Sequence, residues 1–296
     1  MSGELRRFLL ESHPVRGHHV QLREAWQELR SVQPYPPAVE SLLGEAATAV
    51  VLLAATLKFD GKLTMQLSGN GLVSLLVAQC TQDFRIRAVA HYASDVPPTS
   101  SFAALVGDGR LAVTIESSER GTRYQGLVPL AGSSMAECLE SYFTSSEQLP
   151  TRLVLVGGHA DAAGLLIQKL PSADSGEASG AIVQSVWEEL QQQMPQLDGT
   201  ALLQTEVASL LSTICGAHDC RLFAGTPVVF ECSCSQQRVS DVLRAVGEAE
   251  ARSVVAEQGG VTITCEFCRR PYRFDAVDVE RLFAVNAIED NNQRLN

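Results

Sequence analysis

The sequence lacks an uninterrupted apolar run of the length that crosses a membrane. Its most apolar segment, Ala46–Leu57, is interrupted by Thr48 and Thr56, whereas a helix needs about 20 apolar residues to span a bilayer. Residues 1–17 have too short an apolar run for a signal peptide and no small-residue cleavage pattern after it. We therefore expect a buried core helix at 46–57 and a cytoplasmic protein.

Basic residues are also scarce. The formal net charge is −11, and only three of the 23 basic residues are lysine, at Lys58, Lys62 and Lys169. Nucleic acids and acidic membranes are bound through clustered lysine and arginine, which release counterions from the phosphates. Because the arginines are scattered among acidic residues, the sequence predicts no nucleic-acid partner and no membrane partner.

Catalytic motifs are missing too: there is no nucleophile elbow and no phosphate-binding loop. The GNG at 69–71 and the GDG at 107–109 each lie between predicted strands and are interpreted as hairpin turns. His18, His19 and His159 are assigned by default to the surface or to loops. We expect a protein that is not an enzyme.

The first part of the chain predicts both helices and strands. Apolar residues at helical spacing predict a helix at 38–58, and another is predicted at 134–148. Short β-rich segments separated by turn residues predict strands at 62–67, 72–79, 84–92, 110–117, 123–130, 151–157 and 164–170. Because few helices separate these strands, residues 1–170 predict an α+β domain with a largely antiparallel sheet.

A small, polar stretch follows at 171–180, PSADSGEASG, and predicts a flexible boundary. Residues 181–225 then predict a helical linker with two amphipathic helices, at 181–194 and 200–214. One apolar face carries Ile182, Val183, Val186, Trp187, Leu190 and Met194, and the other carries Leu202, Leu203, Val207, Leu210, Leu211 and Ile214. Such helices gain most of their stability from packing, so these faces must lie on the sheet domain, on a partner or on both.

Four of the eight cysteines lie in the C-terminal segment 226–296, as Cys232 and Cys234 in C-x-C and Cys265 and Cys268 in C-x-x-C. Strands are predicted here at 227–231, 261–265 and 271–275, and helices at 235–246, 248–257 and 277–285. Domains of roughly 60 residues are marginally stable, so a structural metal is a natural supplement. Four thiolates in two close pairs predict a tetrahedral zinc site.

Chance grouping of the cysteines and a purely structural zinc are the alternatives. Structural Cys₄ sites usually draw on C-x₂₋₄-C pairs, and a disulfide between residues two apart closes a strained ring that tends to be labile. The C-x-C pair therefore favours a reversible redox role. Converting either pair to a disulfide would release the ion. The segment would then lose on the order of 10 kcal/mol of binding free energy, a loss large enough to unfold it. If the segment covers the linker helices, their apolar faces would then be exposed.

Three stretches resemble a known family: ECSCSQQRV…VTITCEFCRRPYRF in the tail, VRGHHVQL at 15–22 and LLGEAATAVVLLAATLKFDGKLTMQLSGNG at 42–71. Together they resemble the redox-regulated bacterial heat-shock holdases of the 33 kDa chaperonin family, and the resemblance runs through essentially the whole chain.

The resemblance implies that Cys232, Cys234, Cys265 and Cys268 hold zinc in a reduced, inactive form, and that oxidation forms the disulfides Cys232–Cys234 and Cys265–Cys268. It further implies ATP-independent capture of unfolding client proteins, unfolding of the linker and a homodimeric active form. We expect the client-binding surface to include the linker residues Ile182, Val186, Trp187, Leu190, Leu203, Val207 and Leu210.

The sequence departs from the family pattern in two ways: Gln236 and Gln237 stand where charged residues are expected, and Cys80, Cys138, Cys215 and Cys220 are additional thiols that could form other disulfides. Cys215, His218 and Cys220 offer too few ligands for a second metal site, so we interpret them as a helix end with incidental thiols. The rival functions are a zinc-ribbon binding module without a switch and a thiol-disulfide oxidoreductase.

Overall fold

The structure, a computed structural model, describes residues 3–117, 123–171, 177–197 and 199–293. The chain divides into two compact units, Met1–Glu231 and Cys232–Asn296. Of the predicted flexible boundary at 171–180, residues 172–176 lie outside the described residues, and helix begins at Glu177.

The first unit contains, in chain order, β1 (Gly3–Leu10), β2 (Val15–Gln21), α1 (Glu24–Ser31), α2 (Pro37–Thr56), β3 (Gly61–Ser68), β4 (Val73–Thr81), β5 (Arg85–Tyr92), α3 (Phe102–Val106), β6 (Arg110–Ser117), β7 (Arg123–Pro129), α4 (Met135–Ser145), β8 (Thr151–Gly157), β9 (Ala162–Lys169), α5 (Glu177–Gln193), α6 (Gly199–Gln204), α7 (Val207–Cys215), β10 (Cys220–Leu222) and β11 (Thr226–Phe230). A short 3₁₀ turn, Met194–Gln196, follows α5.

Eleven strands form one sheet in the order β7-β6-β3-β4-β5-β11-β1-β2-β9-β8, with β10 paired to β1 beside β11. All neighbours are antiparallel except β11 and β5, whose parallel register places Phe230 opposite Ile86. The prediction of an α+β fold with a largely antiparallel sheet is confirmed. The sequence predicts that the strand at 227–231 belongs to the C-terminal domain, whereas the structure pairs β11 inside the sheet of the first unit.

Helix α2 is the centre of the main core. It begins with Pro37 in its first turn, where the missing N–H of proline costs no intrahelical bond. Its apolar residues pack against the strands on one side of the sheet, and Val39, Leu43 and Val50 are completely buried. By length and composition α2 could cross a membrane, but 83% of its most apolar window is buried inside the fold. The predicted core helix is confirmed.

A second core cluster lies under helices α5 to α7. Their apolar residues, including Trp187 and Leu210, pack on Phe8, Leu165 and Ile167 of the sheet. The sheet domain therefore covers these amphipathic faces, which is one of the arrangements that the sequence predicts. Packing against a sheet compensates for the low intrinsic stability of helices as short as α6 and α7.

Three local predictions are wrong. The single helix at 200–214 is interrupted at Thr205–Glu206, because the Glu206 carboxylate caps α7 by accepting a hydrogen bond from Ala208 N over 3.0 Å. The GDG turn is not a hairpin, because it follows α3, which Gly107 terminates at φ 56°. His18 and His19 are only 3% and 4% exposed, because β2 is paired on both edges and both of its faces are covered. His159 does lie in an exposed loop, as predicted.

The second unit contains α8 (Gln236–Val246), α9 (Glu248–Gln258), β12 (Val261–Thr264), β13 (Pro271–Phe274) and α10 (Ala276–Gln293). The two strands form an antiparallel hairpin with Ile263 opposite Tyr272. Its described core is small, with eight buried residues that include Leu243, Tyr272 and Phe274. Few buried apolar side chains are available to stabilise this unit, so other interactions must contribute.

Candidate metal centre

The first pair of cysteines lies in the loop that leads into α8. Ser235 caps this helix, and its hydroxyl accepts a hydrogen bond from Arg238 N over 3.3 Å. The Arg238 guanidinium reaches back and donates to the Ser233 carbonyl over 2.6 Å. Because Ser233 separates Cys232 from Cys234, this contact fixes the backbone between the two sulfurs.

The second pair lies in the turn of the β12–β13 hairpin. Cys265 N donates to Arg270 O over 3.0 Å, and Arg269 N donates to Cys265 O over 2.8 Å. Arg269 takes a left-handed conformation with φ 55°, which is uncommon for a residue with a side chain. The turn folds tightly enough to bring Cys265 and Cys268 to the same point.

The four sulfurs converge. Cys232 Sγ lies 3.6 Å from Cys265 Sγ, and Cys234 Sγ lies 3.4 Å from Cys268 Sγ. All four lie within 4.8 Å of one another, and they are the only group of three or more potential ligands in the described part of the chain.

These distances fit a shared metal ion. No disulfide joins any of the eight cysteines, and a disulfide would bring two sulfurs to about 2.05 Å. A tetrahedral ion with metal–sulfur bonds of about 2.3 Å separates its sulfur ligands by about 3.8 Å, close to the observed 3.6 and 3.4 Å. The cluster can therefore hold a tetrahedral ion with little rearrangement.

The thiols differ in acidity. Burial would raise the pKa of Cys234, but hydrogen bonds from Tyr272 and the neighbouring thiols outweigh it and lower the pKa to about 7. Burial, together with hydrogen bonding to the other cysteines, raises the pKa of Cys268 to about 12. The protein alone therefore favours the thiolate at Cys234 and the thiol at Cys268, whereas a bound divalent cation would supply the charge that keeps both sulfurs ionised.

Tyr272 contacts the sulfur cluster, and the sequence analysis did not predict this contact. Its hydroxyl donates to Cys234 Sγ over 3.0 Å, and its ring is buried in the core of the second unit. Its position four residues after Cys268, on the strand that leaves the turn, was the available signal. Hydrogen bonds of this kind orient metal ligands and tune their basicity.

The predicted client surface is mostly covered. Val186, Trp187, Leu190, Val207 and Leu210 are buried in the second core cluster, and Leu203 is partly buried against it. Ile182 is 58% exposed. In this conformation only Ile182 of the predicted set is freely accessible.

The remaining cysteines do not form a second metal centre among the described residues. His218 Nε2 contacts Glu189 Oε2 at 3.0 Å, so its imidazole has a partner other than a metal. Cys80, Cys138 and Cys215 are buried, and Cys220 is partly exposed. Burial is the main cause that raises the pKa of both Cys80 and Cys138, which makes these two thiols poor nucleophiles.

Comparison with known proteins agrees with this architecture. A family model described as Hsp33 protein matches residues 3–275. The 33 kDa chaperonin of Shewanella loihica is 38% identical over 279 residues, which cover 94% of this chain and 95% of the relative. That of Pseudomonas aeruginosa is 39% identical over 290 residues, with 96% and 95% covered.

A solved structure is also similar. The crystal structure of the 33 kDa chaperonin from Thermotoga maritima superposes with a TM-score of 0.82, and the match covers 96% of this chain and 99% of that one. The two sequences are 22% identical, so this likeness concerns the fold alone.

Proposed function

This chain belongs to the Hsp33 family, and on that premise we propose that it is a redox-regulated, ATP-independent molecular chaperone. The reduced form holds zinc and is inactive, and the oxidised form binds unfolding proteins and prevents their aggregation. The family is a chaperone family rather than an enzyme family. The observation that carries the proposal is the convergence of four thiol sulfurs within 4.8 Å in a unit with a small core.

Cys232, Cys234, Cys265 and Cys268 are the proposed zinc ligands. Four soft sulfur donors in a tetrahedral arrangement favour zinc over magnesium or calcium, which prefer oxygen. When bound, zinc would supply two positive charges, and the four cysteines that hold it would connect the α8 loop to the β12–β13 turn. Tyr272 and Arg238 hold the ligands in place through Cys234 Sγ and the Ser233 carbonyl.

Oxidation removes the donors. Each pair of thiols loses two protons and two electrons to an oxidant such as a peroxide, which is reduced to water, and a disulfide forms. Two sulfurs joined in this way no longer act as thiolate ligands, so the set can no longer hold the ion. The loss of on the order of 10 kcal/mol of binding free energy exceeds what so small a unit holds in reserve.

Cys232–Cys234 and Cys265–Cys268 are the proposed disulfides. The short sulfur distances run across the two loops, at 3.6 and 3.4 Å, and alone they favour the crossed pairs. Once the unit begins to unfold, however, the cost of closing a loop rises with its length, so cysteines two or three residues apart meet more readily than cysteines some thirty residues apart. Unfolding during oxidation therefore favours disulfides within each close pair.

The linker helices provide the proposed client surface. Helices α5 to α7 end shortly before β10 and β11, and Cys232 follows β11 after a single residue. We propose that loss of the zinc-bound fold destabilises this region and frees Trp187, Leu190 and the apolar residues around them on α5 from the sheet. An apolar surface of low specificity suits unfolded clients, whose apolar side chains are exposed.

The oxidised, active form is proposed to be a homodimer acting in the cytoplasm, with no nucleic-acid or membrane partner. The net charge of −11 supports this choice of partners, because it disfavours binding to phosphates and acidic lipids and keeps a chaperone with exposed apolar surface soluble.

One experiment tests the proposal. Zinc content, the aggregation of a heat-unfolded client and disulfide-reductase turnover are measured before and after warm peroxide treatment. We expect zinc release together with suppressed aggregation and no turnover. Zinc that stays bound without any gain in suppression would instead indicate a zinc-ribbon module without a switch, and turnover would indicate an oxidoreductase.

A further inference from the structure

Two cysteines outside the metal centre lie at the ends of one short loop. Cys215 is the last residue of α7, and Cys220 is the first residue of β10, where it pairs with Leu10. Cys215 belongs to the second core cluster, and Cys220 packs against that cluster. The fold of the first unit therefore brings a buried thiol and a partly exposed thiol to the same place.

The loop between them is held by backbone hydrogen bonds. Gly216 ends α7 at φ 56°, His218 N donates to Cys215 O over 2.9 Å, and Glu11 N donates to Asp219 O over 3.0 Å. His218 is further fixed by its contact with Glu189 of α5 at 3.0 Å. The positions of the two thiols thus follow from fixed main-chain geometry, and little ordering is needed to bring them together.

The two thiols divide the chemical roles between them. A hydrogen bond with Cys220, followed by burial, raises the pKa of Cys215. The same hydrogen bond outweighs burial and lowers the pKa of Cys220. Cys220 is also the more exposed of the two, so it meets the two requirements of a thiol that reacts with oxidants, thiolate character and access.

We propose that Cys215 and Cys220 are a second redox-active dithiol, separate from the four-cysteine cluster, which closes to a disulfide when the protein meets a peroxide. The Cys220 thiolate attacks the peroxide, the O–O bond breaks, and a sulfenic acid and hydroxide form. The Cys215 thiol then attacks the Cys220 sulfur, its proton goes to the departing hydroxyl, and water leaves as the S–S bond forms.

The disulfide restrains α7. It joins the last turn of the helix to β10, which is paired with β1, so Leu210, Leu211 and Ile214 are held close to the sheet. A cross-link of this kind reduces the conformational freedom of the unfolded segment. This consequence rests on the proposed function: oxidation that frees α5 leaves α7 docked, and the disulfide limits how much of the linker opens.

Mass mapping of the oxidised full-length protein tests the dithiol. Reduced, zinc-loaded protein is treated with hydrogen peroxide, remaining thiols are alkylated, and peptides are analysed without reduction. The peptide spanning 215–222 should lose two hydrogens. In Cys215→Ala, which lacks the resolving thiol, Cys220 should accumulate as a sulfenic acid that dimedone traps, and Cys138→Ala should behave as wild type.

Hydrogen exchange of the oxidised protein tests the restraint. The exchange rate of the α7 amides should be lower by a factor of about ten or more in oxidised wild type than in oxidised Cys220→Ser. In the reduced proteins, the α7 amides of wild type and Cys220→Ser should exchange at the same rate. This control shows that the substitution itself does not disturb α7.

The outcomes separate this inference from the proposed function. If the pair stays reduced, or bonds to other cysteines, while the four cluster cysteines are fully oxidised, the dithiol is refuted and the zinc switch stands. If the pair closes while the cluster keeps its zinc, the dithiol stands and the proposed switch fails. Equal α7 exchange in oxidised wild type and Cys220→Ser overturns the restraint.

Discussion

Tyr272 donates its hydroxyl hydrogen to Cys234 Sγ over 3.0 Å. This hydrogen bond links the small core of the second unit to its sulfur cluster, because the same side chain is buried among Leu243, Val261 and Phe274. The acidity of a ligand and the packing of the unit therefore depend on one residue.

Tyr272→Phe should weaken zinc retention while leaving the unit folded when the metal is in excess. The ring remains in the core, but Cys234 loses the donor that favours its thiolate, and losing such a partner typically reduces metal affinity about 10–100-fold. Competition with a colorimetric chelator measures the change. Tyr92→Phe, which removes a hydroxyl bound to Pro34 O in the first unit, is the matched control and should retain zinc like wild type.

Cys232→Ser should leave the second unit partly unfolded and the protein partly active without an oxidant. A serine hydroxyl is a poor replacement for a thiolate, so three sulfur ligands remain and metal binding weakens. Zinc content and client aggregation are measured under reducing conditions. Cys220→Ser, outside the cluster, should stay inactive when reduced, and a Cys232→Ser protein that is inactive and holds zinc tightly contradicts the proposed switch.

Removing the metal from the reduced protein with a chelator should unfold Cys232–Asn296 and spare the main core. The eight described core residues of the second unit cannot replace on the order of 10 kcal/mol of metal binding. Hydrogen exchange should rise in α8, α9 and β12 to the rate of an unstructured chain, while β3, β4 and α2 remain protected. Protection of α8 after complete removal of the metal would show that the unit does not depend on it.

Leu190→Ala should lower the amount of oxidant needed for activation. Leu190 is 1% exposed in the second core cluster, and truncating a buried leucine costs about 2–5 kcal/mol, so α5 is held less firmly on the sheet. The emission of Trp187, which is also buried there, reports release as a red shift. Ile182→Ala, on the exposed side of the same helix, should match wild type in its activation threshold.

The first unit should lose stability below pH 6.5 through His18 and His19. Burial, helped by Arg16 for His18 and by Arg23 for His19, lowers the pKa of each to about 4, whereas the unfolded chain titrates near 6.5. The unfolded state therefore binds more protons between pH 6.5 and 4. Stability is fully present above pH 6.5 and falls as pH drops towards 4, by on the order of 2–3 kcal/mol for each histidine.

Urea unfolding at pH 7.5 and pH 4.5 measures this dependence. His19→Gln, which cannot take up the proton, should lose less stability than wild type over the interval, and His91→Gln, at an exposed position, should change as wild type does. Equal pH dependence in His19→Gln and wild type would show that His19 takes up no extra proton on unfolding.

Most of the local structure could be predicted from the sequence, because helix and strand patterns depend on residues that are close together in the chain. The predicted limits of β6 and β8 coincide with the observed ones, and α2 departs from its prediction by only one or two residues. The spacing of Cys232, Cys234, Cys265 and Cys268 likewise indicated which side chains meet, because two close pairs each form one half of a tetrahedron.

Long-range pairing could not be predicted in the same way. Nothing near Val228 indicates that it pairs with Gly3 at the other end of the unit, so β11 was assigned to the segment that follows it. The burial of His18 and His19 depends on β1, β9 and the helices on either face, none of which is visible in the pattern of β2. The break at Glu206 reflects a side-chain cap that competes with a continuous helix.

The position of β11 has a consequence for how the chain is made. This strand lies between β5 and β1 and connects the two halves of the sheet, yet it is synthesised after every other strand of that sheet. A nascent chain can form the half of the sheet made by β3 to β7 early, but the sheet cannot become continuous until residues 226–230 have left the ribosome. During that interval the open edges of β5 and β1 are free to pair with other chains, so a protein that we propose protects others from aggregation depends on late translation to close its own sheet.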